Sequence, residues 1–320
     1  MDIKGKKFVV TGGAGFIGSH LVDQLLAEEV GEIVILDTLV RGSKDNIKDA
    51  LSDDRVSLHH SDIRSFDDIE PFFQGSAGCF HLATLRITQC ATEPRHALEV
   101  MIDGTYNVLE ACVQHKVPKI IFSSSASVYG MADTFPTEES HHPWNNDTWY
   151  GATKISGEGM LKSFHAMFGL EYINLRYFNV YGTRMDVFGK YTEVLIRWLK
   201  CFDNGEAPQI FGDGKQTMDF INAADAAQAN ILAMKADVAN KAYNIATGEE
   251  VSLGELLEKL SRAYPGDTLP PEYQEARSVN PVPRRLADVT AAKNDLGFKA
   301  QTDLSSGLKA LIEWRQQLVG

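Results

Sequence analysis

The chain has 320 residues, of which 44% are hydrophobic and 23% charged, and a formal net charge of −12. This balance suits a globular protein with a sizeable core, arranged as one large domain or two unequal ones. The negative charge argues against a general role on nucleic acid or an anionic membrane surface, and an anionic substrate would need local Arg or Lys to overcome that field.

Met1–Lys7 leads into no long apolar run and does not read as a signal peptide. No stretch approaches the ~20 apolar residues of a membrane span. Phe8–Thr11 predicts a buried strand. Gly12-Gly13-Ala14-Gly15-Phe16-Ile17-Gly18 follows, then an amphipathic helix over Ser19–Ala27 and a second buried strand, Ile33–Leu36, ending at Asp37. Strand, glycine loop, helix, strand and an acid about 20 residues past the last glycine is the order of a dinucleotide site. Gly12 permits the tight turn, Gly15 lets backbone approach a pyrophosphate, and Gly18 lets helix and strand pack closely. The amides at Phe16 and Ile17 and the positive end of the helix dipole then face the phosphates. Asp37 would accept hydrogen bonds from the adenosine ribose, and its charge repels a 2′-phosphate. NAD is therefore expected over NADP, with Arg41 weakening the preference a little.

Further strands are expected at Val56–His60, Gly78–Leu82, Ile120–Ser123 and Glu171–Leu175, with helices at Phe66–Phe73, His96–His115 and Thr153–Phe168. The alternation predicts an α/β fold with a doubly wound parallel sheet, whose ligands gather at the carboxyl ends of the strands. Past residue 178 the pattern loosens. Residues 1–178 are expected as the NAD-binding domain and 179–320 as a smaller substrate-binding α/β domain, with a late strand, Ala242–Ala246, returning to the main sheet. Pro265–Arg285 has five prolines and reads as an irregular segment over the site. Cys79, Cys90, Cys112 and Cys201 show neither metal spacing nor a disulfide framework. Buried free thiols, no metal and a reduced cytoplasm are expected.

Tyr150-Gly151-Ala152-Thr153-Lys154 carries the chemistry. Positions i and i+4 share a helix face. A cation one turn away favours the phenolate, so the pair reads as a general base for an alcohol, and such an alcohol needs a hydride acceptor.

Thr11–Gly18, Asp37, Ser61–Ile63, His81–Ala83, Ser123–Gly130, Tyr150–Lys154, Arg176–Gly182, Phe211–Phe220 and Arg285–Asp288 together resemble the extended short-chain dehydrogenase/reductase family, in its branch of NAD-dependent nucleotide-sugar epimerases and dehydratases. The resemblance implies that Asp62 and Ile63 border the adenine. Leu82, Ala83 and Thr84 would line the path to the nicotinamide ribose, which Lys154 bonds. Ser125 would be the hydroxyl partner of the substrate oxygen. Tyr177 would lie beside the nicotinamide, and Asn179 and Arg277 would meet the substrate diphosphate.

The activity implied is 4-epimerisation of a UDP-hexose through a transient 4-keto sugar. Dehydratases of the branch carry an acidic pair just after the Ser/Thr, and sugar-acid decarboxylases a Glu near that turn. Here Ala126 and Ser127 stand there. An NAD(P)H-dependent ketoreductase or dehydratase is the alternative. Met101 and Met218 depart from the branch, which usually has Asn and a diphosphate-gripping Arg at these places. Arg277, Arg284, Arg285 or Arg184 would have to compensate for the second. A homodimer packed through His96–His115 and Thr153–Phe168 is also implied.

Overall fold

The computed structural model describes residues 1–189, 192–276 and 282–319. Its centre is a parallel sheet of seven strands. Six come in succession: β1 (Lys7–Thr11), β2 (Glu32–Asp37), β3 (Val56–His60), β4 (Gly78–His81), β5 (Lys119–Ser125) and β6 (Glu171–Tyr177). After the short β7 (Asn179–Tyr181), β8 (Gln209–Phe211), β9 (Thr217–Met218) and β10 (Phe220–Asn222), the chain returns as β11 (Lys241–Ile245). The spatial order is β11-β6-β5-β4-β1-β2-β3. Alternate residues pack on opposite faces: Phe8 and Val10 join one core, Val9 the other.

Helix α1 runs from Phe16 to Ala27, three residues earlier than its apolar period suggests, because it starts inside the glycine loop. A Cβ on Gly18 would lie 2.2 Å from the Gly12 carbonyl oxygen, so only glycine lets this turn close. The expected helix over His96–His115 runs without a gap from Pro94 to Gln114, with a π-helical turn at Glu99–Asp103 between Pro94–Leu98 and Gly104–Gln114. The expected Phe66–Phe73 helix splits, its second half tightening to a 3₁₀ turn that contains Pro71. The helix bearing Tyr150 spans Trp149–Phe168. Its start is fixed by Thr148, whose hydroxyl accepts from the Gly151 amide at 3.1 Å.

A third core, around Tyr181, Trp198, Leu256 and Leu311, lies in the later part of the chain. The proline-rich segment is more regular than its composition suggests. It holds β13 (Glu272–Gln274), parallel to β8, and β14 (Arg284–Arg285), parallel to β9; β12 (Val251–Ser252) flanks β9 on the other side. All four cysteines are free thiols.

One buried ion pair ties sheet to helix. Arg176 on β6 donates through Nε and an NH2 group to the two Glu158 oxygens, at 2.9 and 2.6 Å. Ser124 on β5 donates to the same carboxylate at 2.5 Å. Both charges are largely screened from water, with side-chain exposures of 12% and 14%. Removing one partner strands the other, so Glu158→Ala should cost about 3–5 kcal/mol in chemical denaturation, and the double Glu158→Met, Arg176→Met variant should recover most of that loss.

Candidate active site

One cavity of about 1860 Å³ opens along the carboxyl ends of the strands. That exceeds the roughly 300–1,000 Å³ of a single small-ligand pocket and leaves room for a dinucleotide and a second ligand. At one end lie Gly12, Gly15, Phe16, Ile17 and Gly18. The N-terminus of α1 carries no side-chain cap and no acid in its first turn. Its first amides have no partner within the helix, which suits them to phosphate oxygens. Asp37 closes this end of the site, accepting from the Ala14 amide at 3.0 Å and the Leu39 amide at 2.8 Å. Burial raises its carboxyl above the ordinary value, and the two amides oppose that. Each oxygen keeps a further lone pair for a ribose hydroxyl. Asp62 and Ile63 line the same cavity; Asp62 is held by Arg64 at 2.6 Å.

In the middle, Leu82, Ala83, Thr84, Ser125, Tyr150, Lys154, Tyr177 and Asn179 line the wall. The side chains of Ser125 and Thr84 line the cavity with the Tyr150 hydroxyl and favour its charged form. Ser125 is fixed in turn, accepting from the Ser127 amide at 3.1 Å. Ser123 and Ser124 are engaged elsewhere, with Tyr177 at 3.2 Å and with Glu158. Tyr177 also meets Asn230, and the Asn179 amide donates to the Asp219 carbonyl at 3.1 Å.

The electrostatics differ from the sequence expectation. Tyr150 is pushed up to about 12, chiefly by burial, with the Ser125 and Thr84 hydrogen bonds opposing it. Lys154 is pushed down to about 7, again by burial. Its ammonium donates to the Ser123 carbonyl at 2.7 Å and lies 5.7 Å from the Tyr150 ring centroid. The i,i+4 geometry is present, but desolvation of both groups outweighs their attraction in the protein alone.

The arginines sort themselves. Arg41 faces the Asp186 carboxylate at 3.8 Å, beside Arg86. Arg86 also faces Glu193 at 3.6 Å. Arg184 pairs with Asp23, and Arg284 with Glu250. Arg285 is different: it is buried, lines the cavity and is the register partner of Met218. Burial pushes it down to about 10, while Asp147 and Tyr150 act the other way. Arg277 lies outside the described residues. The Met101 sulfur lies 3.7 Å from the Thr84, Cys90 and Thr153 donors. Arg86, Asp186 and Glu193 were missed from sequence. Arg86 stands two places past Thr84 and was within reach of that motif; the two acids carry no local signal.

A doubly wound sheet, an uncapped glycine-loop helix, an acid at the end of β2 and a Tyr–Lys pair define a dinucleotide-dependent enzyme of the short-chain dehydrogenase/reductase type. The sequence profile of the NAD dependent epimerase/dehydratase family matches residues 8–246, and the chain belongs to that family. It is 32% identical to a UDP-glucose 4-epimerase of Mycolicibacterium smegmatis over 310 residues, covering 96% of this chain and 97% of that one. It is 30% identical over 327 residues to a UDP-N-acetyl-alpha-D-glucosaminuronate decarboxylase of Bacillus cytotoxicus, covering 98% of each. Its structure resembles that of a UDP-N-acetylglucosamine 4-epimerase from Methanobrevibacter ruminantium in complex with UDP-N-acetylmuramic acid. The TM-score is 0.92 and the identity 33%, over 99% of this chain and all of that one.

Lys154 gives a pH signature. Between its folded value of about 7 and the ordinary lysine value, the unfolded chain holds a proton that the folded one has lost, so this site's contribution to stability rises with pH. In urea unfolding of the unliganded protein, wild type should gain about 1–2 kcal/mol relative to Lys154→Met from pH ~7 to ~9. Parallel curves would refute the assignment.

Proposed function

We propose that the chain interconverts UDP-hexoses epimeric at C4 through a transient 4-keto sugar, with NAD retained as a true catalyst. The observation that carries this reading is that Tyr150, Ser125 and Thr84 line one dinucleotide cavity, with Ala126 and Ser127 where an eliminating or decarboxylating enzyme needs an acid. Ser125 orients the sugar C4 hydroxyl. Tyr150 takes its proton and later returns it. Lys154 binds the nicotinamide-side ribose and contributes positive charge near the phenol. NAD, when bound, supplies the hydride acceptor and a further positive charge. That second charge matters, because burial alone leaves the phenol protonated. Glu193, a carboxylate that acts electrostatically on Tyr150, faces Arg86 across 3.6 Å and is already partnered.

In this reading residues 1–178 hold NAD, through Gly12, Gly15, Phe16, Ile17, Gly18, Asp37, Asp62, Ile63, Leu82, Ala83, Thr84 and Tyr177. Residues 179–320 hold the nucleotide diphosphate, through Asn179 and Arg277. Arg285 joins them, since its buried guanidinium stands in register beside Met218, where a cation for the diphosphate is lacking. A charge-assisted bond to phosphate is strong enough for this task.

The protein works as a cytoplasmic homodimer. Exposed Tyr106, Met167 and Phe168 on the helices Gly104–Gln114 and Trp149–Phe168 support an apolar contact there. Among the described residues no helix is long and apolar enough to cross a membrane.

The test is to incubate purified protein, without added cofactor, with UDP-glucose, UDP-galactose and their N-acetyl forms. Interconversion with no net change in the NADH band is expected, and NAD should be released on denaturation. Tyr150→Phe should lower kcat by about 10²–10⁴-fold while NAD stays bound. Arg285→Met should act mainly on KM, raising it about tenfold, the loss of one charge-assisted bond. No interconversion with any nucleotide sugar, or stoichiometric loss of NADH with a carbonyl substrate, would replace the epimerase by a ketoreductase.

A further inference from the structure

Away from the cavity, a cluster of metal-ligating side chains lies on the segment between Gly130 and Thr148. Asp133, His141 and His142 each offer one ligand atom, and these atoms all lie within 4.8 Å of one another. Asp133 Oδ1 is 2.9 Å from His141 Nε2. Asp133 Oδ2 is 3.7 Å from His142 Nε2. A tetrahedral Zn²⁺ with bonds of about 2.0–2.2 Å to nitrogen and oxygen sets its ligand atoms roughly 3.3 Å apart. Two separations fall on either side of that value, and the His141–His142 separation lies within 4.8 Å.

Hydrogen positions supply a second argument. His141 Nδ1 is 2.7 Å from the His142 carbonyl oxygen. A carbonyl only accepts, so Nδ1 carries the hydrogen. The Asp133 amide also approaches Nε2, at 3.3 Å, and competes with an ion for its one lone pair. In the neutral ring, Nε2 then presents a lone pair to a carboxylate oxygen 2.9 Å away. Two lone pairs face each other at that distance only with a cation between them, either a proton or a metal ion.

The surrounding bonds are those that hold metal ligands in place. The ring N–H goes to a backbone carbonyl, and Asn145 Nδ2 donates to Asp133 Oδ2 at 3.4 Å. The His141 side chain is only 4% exposed and lies edge-on to Tyr129 at 5.8 Å, so its ring is fixed. His142 and Asp133 reach solvent and admit an ion.

We propose that Asp133, His141 and His142 form a three-ligand site for a divalent transition-metal ion of the zinc class, with a fourth position open to water. Two imidazoles and a carboxylate suit Zn²⁺ better than Ca²⁺ or Mg²⁺, which prefer all-oxygen shells. The ion clips the two sides of a loop rather than joining the chemistry. Met131 and Asn145 already bridge that loop through two bonds, at 3.1 and 3.0 Å. The same loop ends at Thr148, the cap of the helix that presents Tyr150. The site therefore steadies the approach to the catalytic helix from outside.

The test uses full-length protein stripped with chelator and titrated with Zn²⁺ by calorimetry, and with Co²⁺ by visible absorption. One equivalent of Zn²⁺ should bind and raise the thermal midpoint, and Co²⁺ should give the bands of a tetrahedral or five-coordinate site. His142→Ala, at a partly exposed position, should weaken binding at least about tenfold, as should Asp133→Asn. Far-ultraviolet dichroism and NAD binding check that both variants are folded. Absence of saturable binding would leave Asp133 and His141 as a plain carboxylate–imidazolium pair and overturn the proposal. Equal affinity in wild type and His142→Ala would place the ion elsewhere and overturn it too.

Discussion

Glu158 is the point on which the geometry of the site depends. Its carboxylate takes two bonds from Arg176 on β6 and one from Ser124 on β5, and it sits two turns along the helix from Tyr150. Arg176 reaches on to the Tyr129 hydroxyl and the Glu139 carbonyl, both at 2.9 Å, and Tyr129 to Asn244 on β11. Three adjacent strands, one helix and the loop before it are thereby joined. Moving the helix relative to β5 would separate the phenol from Ser125, so the geometry of the hydroxyl pair is inherited from this buried network. Such a network is costly if half satisfied and rigid when complete.

That rigidity lets burial set the chemistry. Tyr150 and Lys154 are both deep enough for desolvation to dominate, which raises the phenol and lowers the amine. Each is pushed toward its neutral form. The cavity is therefore poised, and a modest gain of positive charge from bound ligand moves a proton there. An exposed Tyr–Lys pair would feel less of either effect. At the far end, Arg285 is held in the same way: a cation kept out of water in an otherwise acidic protein favours a ligand that brings negative charge.

Much of this was legible in the sequence for a physical reason. The glycine loop, Asp37 and the β1–α1–β2 unit are local: steric need fixes glycine, helix polarity fixes the anion site, and the acid follows at a set spacing. The described candidates except Arg284 line one cavity, since parallel strands end on one edge. The errors came from long-range terms. The π-helical turn at Glu99–Asp103 contains no proline or glycine, although Gly104 follows it. Strand pairing within Pro265–Arg285 rests on partners far earlier in the chain. The rise of Tyr150 could not be read from a one-turn spacing, because burial is a property of the whole fold.

The central claim is that one carbon is oxidised and reduced within a single closed site, with Tyr150 handling the proton. Its most direct measurement follows a deuterium placed at C4 of a UDP-hexose the protein turns over, in ordinary water. The epimeric product should keep the label at C4, since the hydrogen leaves and returns without meeting solvent. Wash-out of the label, or its appearance in free NADH, would contradict it.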